Sequence, residues 1–279
     1  MSQSAKVGVS YNLFDGEELL PYSIITIRDK VHHISVVYQT VSNLGKPANP
    51  DLEKKLKEML EDGLIDELYL YRPILAVIPQ INETKKRNIG LELAKKNGCD
   101  YFLSMDVDEF YDENQFEFAL KYIFENDIAI SAISIIDYFK TPEYQVSGIH
   151  TFVNGNIHNY YVPFLIKIDR SIRQSHASSY FPCFVDPTRR LYCPGKVMIF
   201  SVQQIAMHHM STIRKDLFKK YQNTSYINRS MGCTEAIKSV EKKILEFNFD
   251  ENTNLPRGFA IYEGKLIKKV ENKFHIRIN

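Results

Sequence analysis

Over residues 6–106 the chain alternates between short apolar runs and amphipathic helical stretches, an order that few folds accommodate. Strand patterns fall at 6–13, 31–39, 67–71 and 100–106, carried by runs such as Val7-Gly8-Val9 and Ile34, Val36, Val37, Tyr38. Helical patterns fall between them, at 17–27, 51–61 and 82–97. Asp15 is placed to cap the first helix, with Glu17 and Glu18 in its first turn and Pro21 blurring its start. The second carries Leu52, Leu56, Met59 and Leu60 on one stripe and stops at Gly63. The third turns Ile89, Leu93 and Ala94 to one side and ends in Lys95, Lys96 and Gly98. A strand that follows a helix that follows a strand pairs parallel through a right-handed crossover, which predicts a doubly wound α/β sheet.

The fourth strand pattern carries the chemistry. Asp100-Tyr-Phe-Leu-Ser-Met-Asp-Val-Asp-Glu-Phe-Tyr111 opens apolar, which suits one buried strand, and stops in Asp106, Asp108 and Glu109. Residues two apart in an extended backbone face the same way, so Asp106 and Asp108 can converge while Phe110 packs behind them. Paired hard oxygen donors suit Mg²⁺ or Mn²⁺ shared with a phosphate substrate. The carboxyl end of a strand in an open α/β sheet is also where ligands sit. An EF-hand reading places Asp106, Asp108, Asp112 and Glu117 at ligand positions, but Phe110 and Tyr111 stand where a ligand and a glycine are required.

Downstream, a helix at 113–124 and strands at 128–136, 160–168 and 197–202 are expected, with a long polar stretch at 171–195 that includes Tyr180, Phe181, Asp186, Arg189 and Arg190. Loops of that length inside a domain commonly carry function. Here Arg189 and Arg190 could meet an anionic acceptor or pair with Asp186. Residues 212–246 are helical, broken near Gly232, and the last thirty are Lys-rich and weakly patterned. This predicts a catalytic domain over 1–220 and a helical extension over 221–279. Lys+Arg 35 against Asp+Glu 34 leaves no field that would draw nucleic acid. Four cysteines without Cys-x-x-Cys spacing exclude a zinc knuckle and read as reduced thiols, Cys183 and Cys193 being the pair that could bridge. With no signal-peptide pattern and no apolar run of ~20 residues, the expectation is a soluble, cytoplasmic protein, with room for peripheral contact at the inner membrane.

Three segments carry a family resemblance: Val9-Ser-Tyr-Asn-Leu-Phe-Asp-Gly-Glu-Glu-Leu-Leu20; Lys86-Arg-Asn-Ile-Gly90 running on to Asp106-Val-Asp-Glu-Phe110; and His208-His-Met-Ser211 with Arg214-Lys215. Together they resemble the metal-dependent GT-A glycosyltransferases, especially bacterial family 2-like enzymes, over roughly residues 5 to 220. The resemblance implies a GT-A-like, mostly parallel sheet flanked by helices, and transfer of a sugar from a nucleotide-diphosphate donor, UDP-linked, to a glycan or glycolipid hydroxyl, as in surface polysaccharide synthesis. It implies donor contacts from Tyr11, Asn12, Gln39, Lys86, Arg87, Asp106, Val107, Arg214 and Lys215, with Tyr11 near the base. The cation, Mn²⁺ or Mg²⁺, would be held by Asp106, Asp108 and a late histidine, His209 ahead of His208. Asp186, and behind it Asp137, are the candidate general bases. The chain departs from the family after the second strand, where Gln39-Thr-Val-Ser-Asn43 stands in place of the usual nucleoside-binding Asp. Two other classes share parts of this pattern. A nucleotidyltransferase would need a Gly-rich phosphate loop that the first turn lacks, and a carbohydrate-binding module would use the 17 tyrosines but not the paired acids.

Overall fold

The computed structural model describes residues 5–146, 150–153, 156–159, 161–169, 183, 185–189, 194–223, 234–249 and 267–278. A large mixed sheet runs through it. The strands are β1 (Val7–Leu13), β2 (His33–Tyr38), β3 (Glu67–Leu70), β4 (Tyr101–Asp106), β5 (Glu109–Phe110), β6 (Ile128–Asp137), β7 (Tyr144–Val146), β8 (His150–Val153), β9 (Asn156–Asn159), β10 (Tyr161–Lys167), β11 (Lys196–Ile199), β12 (Ala206–His209) and β13 (Ile267–Lys269). The helices are α1 (Leu20–Ile25), α2 (Leu52–Glu61), α3 (Pro79–Lys96), α4 (Glu113–Glu125), α5 (Leu217–Asn223) and α6 (Thr234–Leu245).

The sheet order is β3-β2-β1-β4-β10-β6-β12-β5, with β11 also on β6. Strands β3, β2, β1 and β4 are parallel, as the alternation of patterns predicts, and β6 is parallel to β11 and β12. Strand β10 enters antiparallel between β4 and β6. The structure is thus a mostly parallel α/β sheet flanked by helices. Every residue of β1 and β2 is buried, so both faces of this half are covered, the condition under which parallel strands occur.

Helix α3 lies unusually close to β1. A Cβ at Gly8 would lie 2.6 Å from Ala94 Cβ, and one at Gly90 would overlap the Ser10 side chain. These two glycines let the helix lie directly on the strand, which fixes Lys86 and Arg87 on the turn before Gly90.

Several boundaries differ from the sequence reading. Helix α1 is short, six residues that begin beside Pro21, and Asp15 does not cap it. The chain instead turns at Gly16 (φ +83°), which leaves Asp15 free to face Arg214. Helix α3 starts three residues early, at Pro79, where a missing N–H costs nothing. Leu60 leaves the α2 stripe and is exposed. The C-terminal residues are not peripheral: β13 pairs with β7, and Phe274 and Ile276 are buried beside Phe110, Tyr138 and Met210. The break expected near Gly232 lies outside the described residues, as do Tyr180, Phe181, Arg190, Cys193 and Cys233. Cys99 and Cys183 are free thiols. Among the described residues, no helix is long and apolar enough to cross a membrane.

Candidate active site

Strands β1 and β4 end side by side, with Asn12 paired to Asp106. Beyond Asp106 the backbone is no longer extended. Val107 and Asp108 form a turn, and β5 then pairs antiparallel with β12, setting Glu109 opposite His209 and Phe110 opposite His208. Two further bonds lock the turn: Asp106 N donates to Glu109 Oε2 at 3.0 Å, and Met210 N donates to Asp108 O at 2.8 Å. Simple strand alternation therefore does not describe how the two aspartates converge, yet the turn brings both to one cleft. That cleft, of about 270 Å³, lies at the carboxyl ends of the parallel strands.

Each aspartate is gripped by two cations. Arg87 Nη2 donates to both Asp106 oxygens at 3.1 Å while its Nη1 donates to Ser104 Oγ at 2.9 Å. Arg189, on a 3-10 turn spanning Pro187–Arg189, donates to Asp106 Oδ2 at 2.6 Å and to Glu109 Oε2 at 3.1 Å. On the other side, Asp108 Oδ2 accepts from Arg214 Nη2 at 2.5 Å and from Lys220 Nζ at 3.0 Å. Burial would raise both carboxyl groups, but the adjacent cations outweigh it and hold Asp106 and Asp108 below the ordinary carboxylate range. Glu109 is different. It is buried, and desolvation raises it in spite of Arg189.

The two histidines face opposite ways, as neighbours on a strand must. His209 lines the cleft, with Nδ1 2.7 Å from Asp137 Oδ1 and Nε2 3.8 Å from Asp108 Oδ2. Burial would lower its pKa, but the bond to Asp137 and the charge of Asp108 raise it. His208 points into the apolar cluster behind, its Nδ1 2.9 Å from the Tyr138 hydroxyl and its ring 5.0 Å from that of Phe274. Burial pushes its pKa down to about 3, so it is neutral.

Of the other expected residues, Asn12, Gln39, Lys86, Arg87, Val107, Asp186 and Arg214 line the cleft. Tyr11 does not: it points to the other face of β1, fully buried, with its hydroxyl 3.0 Å from Ser23 Oγ. Lys215 also lies away from it, and its backbone N–H donates to Glu18 at 2.9 Å. Asp137 sits behind His209 and lies off the cleft wall. The Arg189 guanidinium is engaged by Asp106 and Glu109, and toward Asp186 it is the backbone N–H that donates, to the carbonyl oxygen at 3.0 Å. The sequence reading missed Lys220 and Asp15, both of which line the cleft. Asp15 left a trace as an acid after a strand end, but Lys220 left none, because only the return of α5 across the sheet brings it in.

Several buried polar atoms of the wall make no hydrogen bond to protein: both side-chain atoms of Asn12, Gln39 Oε1, and Nε and Nη1 of Arg214. Polar groups this deep are nearly always satisfied by protein, water or a ligand, so this part of the wall can accept polar partners. Gln39 Nε2 donates to Val41 O at 2.7 Å and to Asn43 Oδ1 at 3.3 Å, which fixes Oε1 as an acceptor. Among the described residues, no group of three or more His, Cys, Asp or Glu side chains forms a metal cage. The donor set that fits a cation is smaller: Asp108 with His209 Nε2, the imidazole being oriented through Nδ1 by Asp137 in the carboxylate–histidine pattern usual at metal sites.

Fold and cleft together define a mixed α/β protein with a charged, polar cleft at the carboxyl ends of its parallel strands. No family model matches the chain, and no curated protein matches it significantly. Among solved structures it is similar to S. aureus TarS 1-349 in complex with UDP-GlcNAc (13% identity, TM-score 0.36, covering 47% of this chain and 35% of that one). It is also similar to the same TarS fragment with UDP (9% identity, TM-score 0.47, covering 88% and 76%). A third is GalNAc-T7 with UDP, GalNAc and Mn²⁺ (11% identity, TM-score 0.46, covering 89% and 52%). The chain thus spans about a third of the first of these and about half of the last.

Proposed function

We propose that the protein is a metal-dependent GT-A-type glycosyltransferase that moves a sugar from a UDP-linked donor to a hydroxyl of a glycan or glycolipid, in the cytoplasm, as a step in surface polysaccharide synthesis. One observation carries the reading. A strand-end Asp106–Asp108 turn, a histidine from a distant strand and two cations from late in the chain, Arg214 and Lys220, meet in one cleft whose remaining wall offers unpartnered amides. Asp108 and His209 are the residues that would hold Mn²⁺ or Mg²⁺, with His209 oriented by Asp137. When bound there, the cation supplies positive charge for the leaving nucleoside diphosphate.

The chain's own residues divide the remaining work. Arg214 and Lys220 turn from Asp108 toward the diphosphate, with charge-assisted hydrogen bonds that strengthen as negative charge develops. Asp137 holds the His209 ring so that Nε2 faces Asp108. Arg87 and Arg189 keep Asp106 ionised and in place to accept from donor hydroxyls. Asn12 and Gln39 read the base with amide groups where the family uses a carboxylate. For the general base, Asp186 is the choice over Asp137: it lines the cleft and makes no ion pair among the described residues, although its Oδ1 also accepts from Thr188 N at 2.7 Å. In this reading residues 1–220 are the catalytic domain and 221–279 an extension that supports it from behind.

The test is hydrolysis of a panel of nucleotide sugars, with and without Mn²⁺. Cation-dependent release of UDP is expected. Pyrophosphate release from a nucleoside triphosphate, without sugar transfer, would replace the reading with a nucleotidyltransferase.

A further inference from the structure

Beside the cleft, the loop between β3 and α3 carries Ile74, Leu75 and Ile78 into solvent, Leu75 with 59% and Ile78 with 48% of its surface exposed. The loop after β2 adds Leu44 (40%) and the edge strand β3 adds Tyr69 and Leu70 (41% and 38%). The two loops meet, since a Cβ at Gly45 would lie 3.6 Å from Leu75 Cδ1. Scattered apolar residues on a surface need no explanation, but a contiguous group does.

This loop is held in place. The fully buried Asn82 accepts from Ile74 N at 3.0 Å and from Tyr71 OH at 2.7 Å, and its Nδ2 donates to Ile74 O at 3.0 Å. A buried amide therefore fixes the backbone from which the apolar tip projects outward. The same segments carry three exposed cations, Lys46 next to Gly45, Arg72 just before the tip and Lys85 in the early turns of α3, and none of them makes an ion pair among the described residues. The nearby Glu83 is already engaged, by Asn43 Nδ2 at 2.5 Å and Lys86 Nζ at 3.1 Å.

An apolar tip with unpaired cations on the same segments matches the interfacial layer of an anionic bilayer, where acyl chains lie under phosphates. A second copy of the chain fits less well. A stable protein interface takes roughly 20–30 residues a side, and a two-fold contact would set this patch, cations included, against itself. We infer that this corner docks the protein on an anionic lipid surface, with Leu75 and Ile78 in the headgroup boundary and Lys46, Arg72 and Lys85 on lipid phosphates. Because Asn43 and Pro79, beside Leu44 and Ile78, line the cleft, docking sets its rim at the bilayer. Docking of this kind is independent of the transfer reading.

The experiment is co-sedimentation of the full chain with phosphatidylglycerol/phosphatidylcholine vesicles and with phosphatidylcholine alone. Wild type is expected to partition onto the anionic vesicles and to lose that partition in high salt. Each of K46Q, R72Q and K85Q should weaken it about fivefold, and L75D/I78D should abolish it with an unchanged urea midpoint. Wild type remaining in the supernatant, equal partition onto both vesicle types, or full partition of L75D/I78D would each overturn the inference. A dimer that L75D/I78D dissolves, found without lipid partition, would assign the patch to a second copy and overturn it as well.

Discussion

Replacing Arg189 with Met tests the electrostatics of the acidic turn without reference to any substrate. The Arg189 side chain is 6% exposed and the Glu109 side chain 3%, and the pair meets Asp106 as well. Removing the guanidinium leaves the Glu109 carboxylate buried with no cation against it, a change that costs about 3–5 kcal/mol. In a chain of this size that corresponds to a fall in melting temperature of roughly 5–9 °C. The loss should also depend on pH. Burial already raises Glu109 in the folded state, and without Arg189 it rises further. Between the unfolded and folded pKa values the folded state then binds more protons, so stability falls as pH rises through that window. Urea unfolding followed by circular dichroism should give a larger deficit for R189M at pH 7.5 than at pH 5. Adding Glu109→Gln, which removes the stranded charge, should recover part of the deficit and abolish its pH dependence. An equal deficit at both pH values, or no recovery in the double variant, would refute the argument that an uncompensated carboxylate is the cause.

The same geometry sets further outcomes. Asp108→Asn should remove Mn²⁺-dependent UDP binding while Arg214 and Lys220 lose their anchor, read by calorimetry with and without chelator; unchanged binding would displace the cation from Asp108. His209→Ala should weaken Mn²⁺ and diphosphate binding together and leave uridine binding less affected, whereas His208→Ala should lower stability more than metal affinity. Because His208 is held neutral with a pKa of about 3, it destabilises the fold as pH falls below its unfolded value near 6.5. His208→Phe should therefore gain about 2 kcal/mol relative to wild type at pH 5 over its difference at pH 7.5, checked by urea unfolding at the two values. UDP should bind better than ADP, and Asn12→Ala with Gln39→Ala should erase the preference; equal affinities in wild type would remove base reading from these amides.

Much of the fold was legible in local patterns. Apolar runs of strand length, stripes of helical period and the Gly63 and Gly98 stops all depend on near neighbours, so the parallel half of the sheet and the acidic end of β4 could be read directly. Opposite orientation of His208 and His209 also followed from strand geometry alone, whereas the burial of Phe110 behind the acids depends on the turn at Val107–Asp108. What the sequence could not supply was long-range pairing. The antiparallel entry of β10, the staple between β5 and β12, and the return of the C-terminal Phe274 onto His208 are contacts between residues far apart in the chain. For the same reason the partners of the later cations could not be read from the sequence. Arg189 could be read as facing an anionic acceptor or Asp186, whereas a 3-10 turn brings it onto Asp106 and Glu109, and Lys220 had no local mark at all. A carboxylate's position after a strand is a local property. The charge that neutralises it arrives from wherever the chain folds back, and only the tertiary structure decides which one that is.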